Sequence, residues 1–125
     1  MEEKIKTVAI FMGLFQDDKG FWGFKNTPEC QRCHSDRIKD IYQYDRDWNL
    51  LMEVIDKITS ISMLDDNYKY NYLYIGYDFE DKEHYVNLYV SEDTQLNGSS
   101  KNSKIEATYE AVIKFINFYN KQKEE

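Results

Sequence analysis

Proline and glycine are scarce in this chain, and their scarcity excludes several classes of protein. One proline and five glycines in 125 residues are too few for a collagen-like or linker-like sequence. No apolar run approaches the roughly 18 residues that a membrane-spanning helix needs, so no membrane association is expected. The start of the chain lacks the basic segment and the long apolar stretch of a signal peptide, which predicts a cytoplasmic protein.

Cysteine is also scarce, whereas aromatic residues are abundant. Two cysteines without a signal sequence are typical of a reducing cytosol and not of a disulfide-bonded scaffold. Eleven tyrosines, seven phenylalanines and two tryptophans give the chain enough apolar surface to build a core. The length suits one domain, so we expect residues 1–125 to form a single domain.

Basic residues are outnumbered by acidic ones. Sixteen Lys and Arg against 23 Asp and Glu give a net charge of -7, and the excess lies in residues 45–100, with twelve acidic and four basic side chains. Direct binding to nucleic acid needs clustered Lys and Arg, so no direct contact with nucleic acid is expected. The acidic region either keeps the protein in solution or faces a basic partner.

Two amphipathic helices are predicted from apolar residues at helical spacing. The first covers about residues 47–60 and the second about residues 104–121, and both apolar stripes are expected in the core. Ser103 and Glu106 form a capping-box pattern at the start of the second helix. The stripe residues are Trp48, Leu51, Met52, Ile55 and Ile58 in the first helix, and Ile105, Tyr109, Val112, Ile113, Ile116 and Tyr119 in the second.

Between these helices, residues 68–79 and 85–91 alternate in the manner of strands, and the short connection predicts an antiparallel hairpin. The apolar set would pack on the helices; it consists of Leu73, Ile75, Tyr77, Phe79, Val86, Leu88 and Val90. Residues 97–103, rich in Ser and Asn, predict an exposed loop.

The first third of the chain gives weaker signals. Residues 7–15 predict either a short helix or a strand, residues 21–24 and 41–44 predict short strands, and residues 25–39 predict a loop. Combined with the hairpin and the two helices, these elements predict an α+β fold. Its antiparallel sheet would have about four strands, with the two main helices packed on one face.

The string Cys30-Gln31-Arg32-Cys33-His34 has motif-like spacing. It matches a haem c attachment pattern without an export signal, and it matches half of a zinc site without a second cysteine pair. Cys30, Cys33 and His34 are therefore the candidate metal ligands, but no metal or other cofactor is expected. The chain has neither a nucleophile elbow nor a glycine-rich phosphate loop, so we predict no catalytic residues and no enzyme activity.

The hairpin tyrosines are the main candidates for binding a partner. Alternation places five of them on the sheet face away from the helices, which we call the tyrosine face: Tyr70, Tyr72, Tyr74, Tyr85 and Tyr89. Tyrosine combines a large apolar area with a polar tip and is enriched at interfaces. Two other interpretations stay open, because such tyrosines also suit cross-strand pairing and because residues 1–44 could cover the face.

Carboxylates are predicted at both ends of the tyrosine face. The hairpin turn brings Asp78, Glu80, Asp81 and Glu83 to one end, and the pairing brings Asp65, Asp66, Glu92 and Asp93 to the other. Aromatic anchors within an acidic rim fit a basic protein surface such as a nucleic-acid-binding groove.

Three segments share residues with a known group of proteins. They are Phe11-Met12-Gly13, the Trp48-x-x-Leu51-Met52 pattern of the first helix, and Ser103-Lys104-Ile105-Glu106-Ala107 at the start of the second. In these segments the chain resembles small phage and prophage proteins of unassigned function. It departs from them at Asn49-Leu50 and Glu53, where the group has a second Trp region and a Pro, and in the cysteine loop and the hairpin.

The resemblance implies a phage protein that acts in the host cytoplasm. Small acidic phage proteins include inhibitors of host defence, so it implies a non-enzymatic, anti-CRISPR-type inhibitor. Such an inhibitor would cover the basic nucleic-acid-binding surface of an RNA-guided nuclease with its acidic, tyrosine-rich face. The alternatives are a phage accessory or structural domain that acts by homo-oligomerisation, and a small zinc- or thiol-dependent enzyme.

Overall fold

The computed structural model describes residues 2–64, 72–90 and 94–124. These residues form four α-helices and two three-stranded antiparallel sheets, which confirms the α+β class. The predicted single sheet of about four strands is replaced by two separate sheets. The elements are α1 (Glu2–Phe11), β1 (Phe15–Gln16), β2 (Phe21–Gly23), β3 (Cys33–His34), α2 (Ile38–Ile41), α3 (Trp48–Leu64), β4 (Tyr72–Asp78), β5 (Glu83–Tyr89), β6 (Gln95–Ser100) and α4 (Lys104–Glu124).

The first sheet, in the order β1-β2-β3, is short and lies in the N-terminal third. The strand expected at residues 21–24 is confirmed as β2, and residues 7–11 prove helical. The strand expected at residues 41–44 is wrong, because Ile41 ends α2 and residues 42–44 enter no sheet. Their apolar alternation has another cause: Tyr44 is buried in the core, and the Tyr42 ring stacks on it with centroids 6.2 Å apart.

The second sheet, in the order β4-β5-β6, contains the predicted hairpin, whose register pairs Asp78 with Glu83 and Tyr72 with Tyr89. The loop expected at residues 97–103 is wrong in its first half, because β6 pairs along β5 up to Ser100. Gly98 and Ser100 are buried under α4. Their small size serves this close approach and does not mark an exposed loop.

Helix α4 is buried on two sides. Its Ala107 and Ala111 pack on Val86 of β5, while Val112 and Ile116 belong to the main core. The second predicted stripe is therefore confirmed at Tyr109, Val112, Ile113 and Ile116, whereas Ile105 and Tyr119 are only partly buried.

The stripe predicted on α3 is rotated in the structure. Leu51 and Ile58 are buried as expected, but Trp48 and Met52 are exposed and Val54 takes a core position instead. Residues 51, 54 and 58 follow the i, i+3, i+7 spacing of one helical face. Helix α3 therefore has two adjacent apolar faces, and the core buries the one that was not predicted.

The capping box predicted for α4 is half formed. The Ser103 hydroxyl oxygen accepts the Glu106 N–H at 3.2 Å, as a box requires. The Ser103 N–H donates instead to the Ser100 hydroxyl oxygen at 3.3 Å. This second bond leaves the Glu106 carboxylate without its usual backbone donor.

Candidate protein-binding site

The tyrosine face is open at Tyr74, whose side chain is 52% exposed, so residues 1–44 do not cover that position. Tyr85 and Tyr89 on β5 are half-buried on the same face. Tyr72 lies in β4 opposite Tyr89, whereas Tyr70 lies outside the described residues. The part of the face that the structure describes thus includes Tyr72 and Tyr74 of β4 and the two β5 tyrosines.

Tyr85 is held across the hairpin by its neighbours. Its ring lies over Gly76, where an added Cβ would come within 2.4 Å of the ring. The Tyr74 ring lies beside it, with centroids 6.0 Å apart. The pKa of Tyr85 is raised chiefly by a side-chain hydrogen bond with Tyr74. Burial is the second cause, and the Asp78 charge adds to the shift. This unit is a cross-strand aromatic pair, and Tyr74 is its exposed member.

The hairpin turn brings the four predicted carboxylates together. Asp78 and Glu83 lie opposite each other where the strands end. One carboxylate oxygen of Asp78 accepts the N–H groups of Glu80 and Asp81, at 2.9 and 3.2 Å, which fixes the loop. The Glu80 and Asp81 side chains are left exposed. We call residues 77–84 the hairpin tip.

The prediction that Phe79 and Tyr77 pack on the helices is wrong for both residues, and Phe79 departs from it most. Its ring is 84% exposed and meets the Tyr77 ring edge-on, with centroids 5.1 Å apart. Tyr77, also exposed, lies 4.9 Å from the His84 ring, so three rings contact one another in series. The cause of the error is that β4 ends at Asp78 and Phe79 already belongs to the loop. Its position directly before Glu80 and Asp81 was the available sequence signal.

The carboxylates expected at the opposite end of the tyrosine face lie outside the described residues. They are Asp65, Asp66, Glu92 and Asp93. The acidic rim that the structure describes is therefore the one at the hairpin tip.

Comparisons with known proteins give no further guide to this site. No family model, no curated protein and no solved structure matches the chain. Across the described residues, no helix is both long enough and apolar enough to cross a membrane. The resemblance to phage proteins stays a prediction.

The cysteine motif is divided between two environments. Cys30 is exposed in a short 3-10 turn, whereas Cys33 is buried in β3. Burial raises the pKa of the Cys33 thiol, which disfavours the reactive thiolate. His34 uses its Nδ1 to accept the Asp36 N–H at 3.2 Å. In the ranges that the structure describes, no three His, Cys, Asp or Glu side chains are grouped so that they could hold a metal ion.

A cleft of about 430 Å³ beside β1 also carries charged side chains. Arg32 pairs with Asp17 at 3.0 Å with both groups largely buried, and Lys19 pairs with Glu29 at 2.7 Å. The hydrogen bond from the Phe21 N–H lowers the pKa of Asp17; burial opposes this shift, and the Arg32 side chain adds to it. These four charged side chains form ion pairs with one another, and the pairs stabilise the walls of the cleft.

Proposed function

We propose that this protein is a non-catalytic binding module that inserts its hairpin tip into a basic nucleic-acid-binding surface of a partner protein. Nucleic acid would then be excluded from that surface. The observation that carries the proposal is the 84% exposed ring of Phe79, held at a turn that also carries four carboxylates.

Phe79 supplies the apolar part of the proposed contact. Full burial of a phenylalanine side chain contributes about 1.5–3 kcal/mol, and the chain leaves nearly all of that contribution unused. The edge-on contact with Tyr77 orients the ring while keeping it exposed. An aromatic anchor with polar neighbours is the usual composition of an interface hot spot.

The carboxylates supply the electrostatic part. Residues 78–83 carry four acidic side chains against the single cation Lys82. Such a charge speeds encounter with a basic groove, and the effect weakens as salt screens it. Carboxylates and phosphates bind the same Lys and Arg side chains, so the module and nucleic acid would compete.

The class of partner comes from the resemblance to phage proteins. An RNA-guided nuclease of the host offers a long basic channel that holds nucleic acid through its backbone. We therefore propose such a nuclease as the partner, and inhibition of it as the biological role.

The test is a competition assay with guide-loaded RNA-guided nucleases and fluorescently labelled target DNA. Wild-type protein should displace the DNA, and Phe79→Ala should weaken displacement by at least about tenfold, since one anchor is removed. Ile10→Ala is the matched control, because Ile10 is 60% exposed on α1, outside the hairpin.

The charge contribution is tested with the isosteric double change Glu80→Gln and Asp81→Asn. Association at low salt should slow by about tenfold and lose most of its salt dependence. Glu53→Gln, an exposed carboxylate on α3, should leave the rate unchanged. Failure of every nuclease to bind, or equal binding by Phe79→Ala and wild type, would refute the proposal.

A second copy of the chain is the alternative partner. Among the described strands, β4 pairs with β5 alone, so within the described residues its other edge, beside the exposed Tyr74, has no strand paired to it. Light scattering after size exclusion separates the two proposals. A stable dimer that Tyr74→Ala dissociates would favour self-association over nuclease binding.

A further inference from the structure

The second sheet has one outer edge on β6 and one on β4, and the β6 edge is closed by side chains of α4. The Ser99 N–H donates to a carboxylate oxygen of Glu110 at 3.3 Å. The Asn97 carbonyl oxygen accepts a hydrogen bond from the Lys114 ammonium group at 2.7 Å. Glu110 and Lys114 also form an ion pair at 3.5 Å. A strand that added to β6 would have to break these contacts.

The same contacts determine which backbone groups of β4 face outwards. In an antiparallel sheet, the N–H and C=O of one residue point to the same side, and successive residues alternate. The Asn97 groups point away from β5, so those of its partner Asn87 point towards β4, where Asn87 pairs with Tyr74. The Tyr74 groups therefore bond to β5, and the groups of the intervening residues face outwards. These outward groups, which we call the β4 edge, belong to Leu73, Ile75 and Tyr77.

The β4 edge has no comparable cover among the described residues. Its N–H and C=O groups make no hydrogen bond there. The strand also lacks the features that usually protect an edge, because residues 72–78 contain neither Lys nor Pro and pair one-to-one with β5 without a bulge. Such an edge is a template for an added strand.

Side chains on both faces of β4 are partly uncovered. On the tyrosine face, the Tyr74 side chain is exposed. On the opposite face, Leu73 and Ile75 are half-buried and Tyr77 is exposed, since α4 packs mainly on β5 and β6. An added strand with apolar residues would therefore bury surface on both faces of the sheet.

The charge at one end of β4 indicates the rest of the partner's chemistry. The carboxylates of the hairpin tip follow directly on this strand, and none of them is in an ion pair with a described residue. A segment antiparallel to β4 would begin beside these carboxylates, because β4 ends there. Lys or Arg at the start of such a segment would complement their charge.

We propose that the β4 edge binds an extended segment of a partner protein as a fourth, antiparallel strand. The segment would begin with Lys or Arg and continue with apolar or β-branched residues. Its backbone would pair with the β4 edge, and its basic end would lie at the hairpin tip. In its choice of partner this proposal rests on the proposed function, since the basic protein that receives the hairpin tip would also supply the segment.

The test is titration of the full chain with the acetylated and amidated peptide Lys-Arg-Lys-Val-Tyr-Val-Thr-Val, followed by calorimetry and amide hydrogen exchange. The peptide should bind, and the N–H groups of Ile75 and Tyr77 should exchange at least about tenfold more slowly in the complex. The N–H groups of Tyr74 and Gly76 are the internal controls. Because they bond to β5, their exchange should be slow with and without the peptide.

N-methylation of the peptide removes backbone donors without changing its charge. Two peptides are therefore methylated at alternate residues, and the one whose methylated set faces β4 should bind at least about tenfold more weakly.

The matched variants of the protein are Tyr77→Pro and Tyr77→Ala. Both remove the ring, but only the proline removes the outward N–H, so it should bind the peptide at least about fivefold more weakly than the alanine variant. Phe79→Ala should bind the peptide like wild type, which keeps this test separate from the nuclease competition. A competition that fails while the peptide binds would refute the proposed function alone.

Three results would overturn the proposal. One is that the peptide does not bind. Another is that both methylated peptides bind as tightly as the unmodified one, which would mean that charge alone attracts them. The third is that Ile75 and Tyr77 are protected from exchange without peptide, increasingly so at higher protein concentration, which would assign the β4 edge to a second copy of the chain.

Discussion

Gly98→Ala should destabilise the protein severely, because β6 and α4 touch through their backbones at this residue. A Cβ on Gly98 would lie 2.1 Å from the carbonyl oxygen of Ala107 and 2.7 Å from the backbone nitrogen of Ala111, well short of the 3.4 Å at which ordinary contacts begin. Neither atom can rotate away, so α4 would have to move off the sheet.

The cost follows from this geometry. Overpacking costs about 1–3 kcal/mol where side chains can adjust, and here they cannot, so we expect a loss of at least about 3 kcal/mol. Replacing Gly by Ala also lowers the entropy of the unfolded chain, which raises the free energy of unfolding by at most about 1 kcal/mol. Retreat of α4 would also separate Ala107 and Ala111 from Val86.

Gly76→Ala is the matched comparison on the neighbouring hairpin. Its Cβ would lie 2.4 Å from Cζ of Tyr85, but this atom belongs to a side chain that can turn outwards. The hydrogen bond between Tyr85 and Tyr74 would be lost, at about 1 kcal/mol, and the entropic gain offsets most of that loss. The free energy of unfolding should therefore stay within about 1 kcal/mol of wild type.

Both variants are measured by guanidinium denaturation followed by circular dichroism, with the slope of the transition compared as well as its midpoint. A Gly98→Ala protein as stable as wild type would contradict this prediction, since α4 could not then lie so close to β6. Equal losses in the two variants would contradict the distinction between backbone and side-chain obstruction.

Two further predictions concern the turn and the buried phenols. Lys82 has a φ of 53°, a left-handed conformation that costs a side chain about 1 kcal/mol, so Lys82→Gly should raise the free energy of unfolding by up to about that amount. A clear loss would show that the Lys82 side chain contributes contacts. Burial raises the pKa of Tyr44 and of Tyr109 above the unfolded value, so the stability that they contribute is complete below about pH 10 and declines as the pH rises further. Above about pH 10 each group should remove about 1.4 kcal/mol per pH unit, which denaturation between about pH 9 and pH 11 would measure, and Tyr44→Phe should lower the slope by about that amount.

The parts of the fold that the sequence predicts are those with local patterns. The spacing of apolar residues within about a dozen positions predicts helices α3 and α4 and the β4–β5 hairpin. Strand β6 does not, because Gly98 and Ser100 are small in order to admit a helix that follows them in the chain. The need for small residues comes from a tertiary contact. In composition, the resulting strand cannot be distinguished from a loop.

The candidate site divides in the same way. The carboxylates at Asp78 and Glu83 were predicted together because a hairpin turn is a local structure. The prediction for Phe79 is wrong because alternation indicates which face of the sheet a side chain lies on. It does not indicate how far along the strand a helix covers that face. Trp48 was misassigned for a related reason, since two neighbouring faces of α3 are apolar and only packing selects between them.

The place where α4 covers the sheet also determines what the hairpin can do. Gly98 brings α4 directly onto β6, and Val86 of β5 is fully buried beside it. Phe79, seven residues before Val86 along the hairpin, is beyond this cover and contributes little to the core. A substitution at Phe79 therefore changes the exposed contact surface with little effect on folding. Loss of partner binding in Phe79→Ala would then report on the contact itself and not on an unfolded protein.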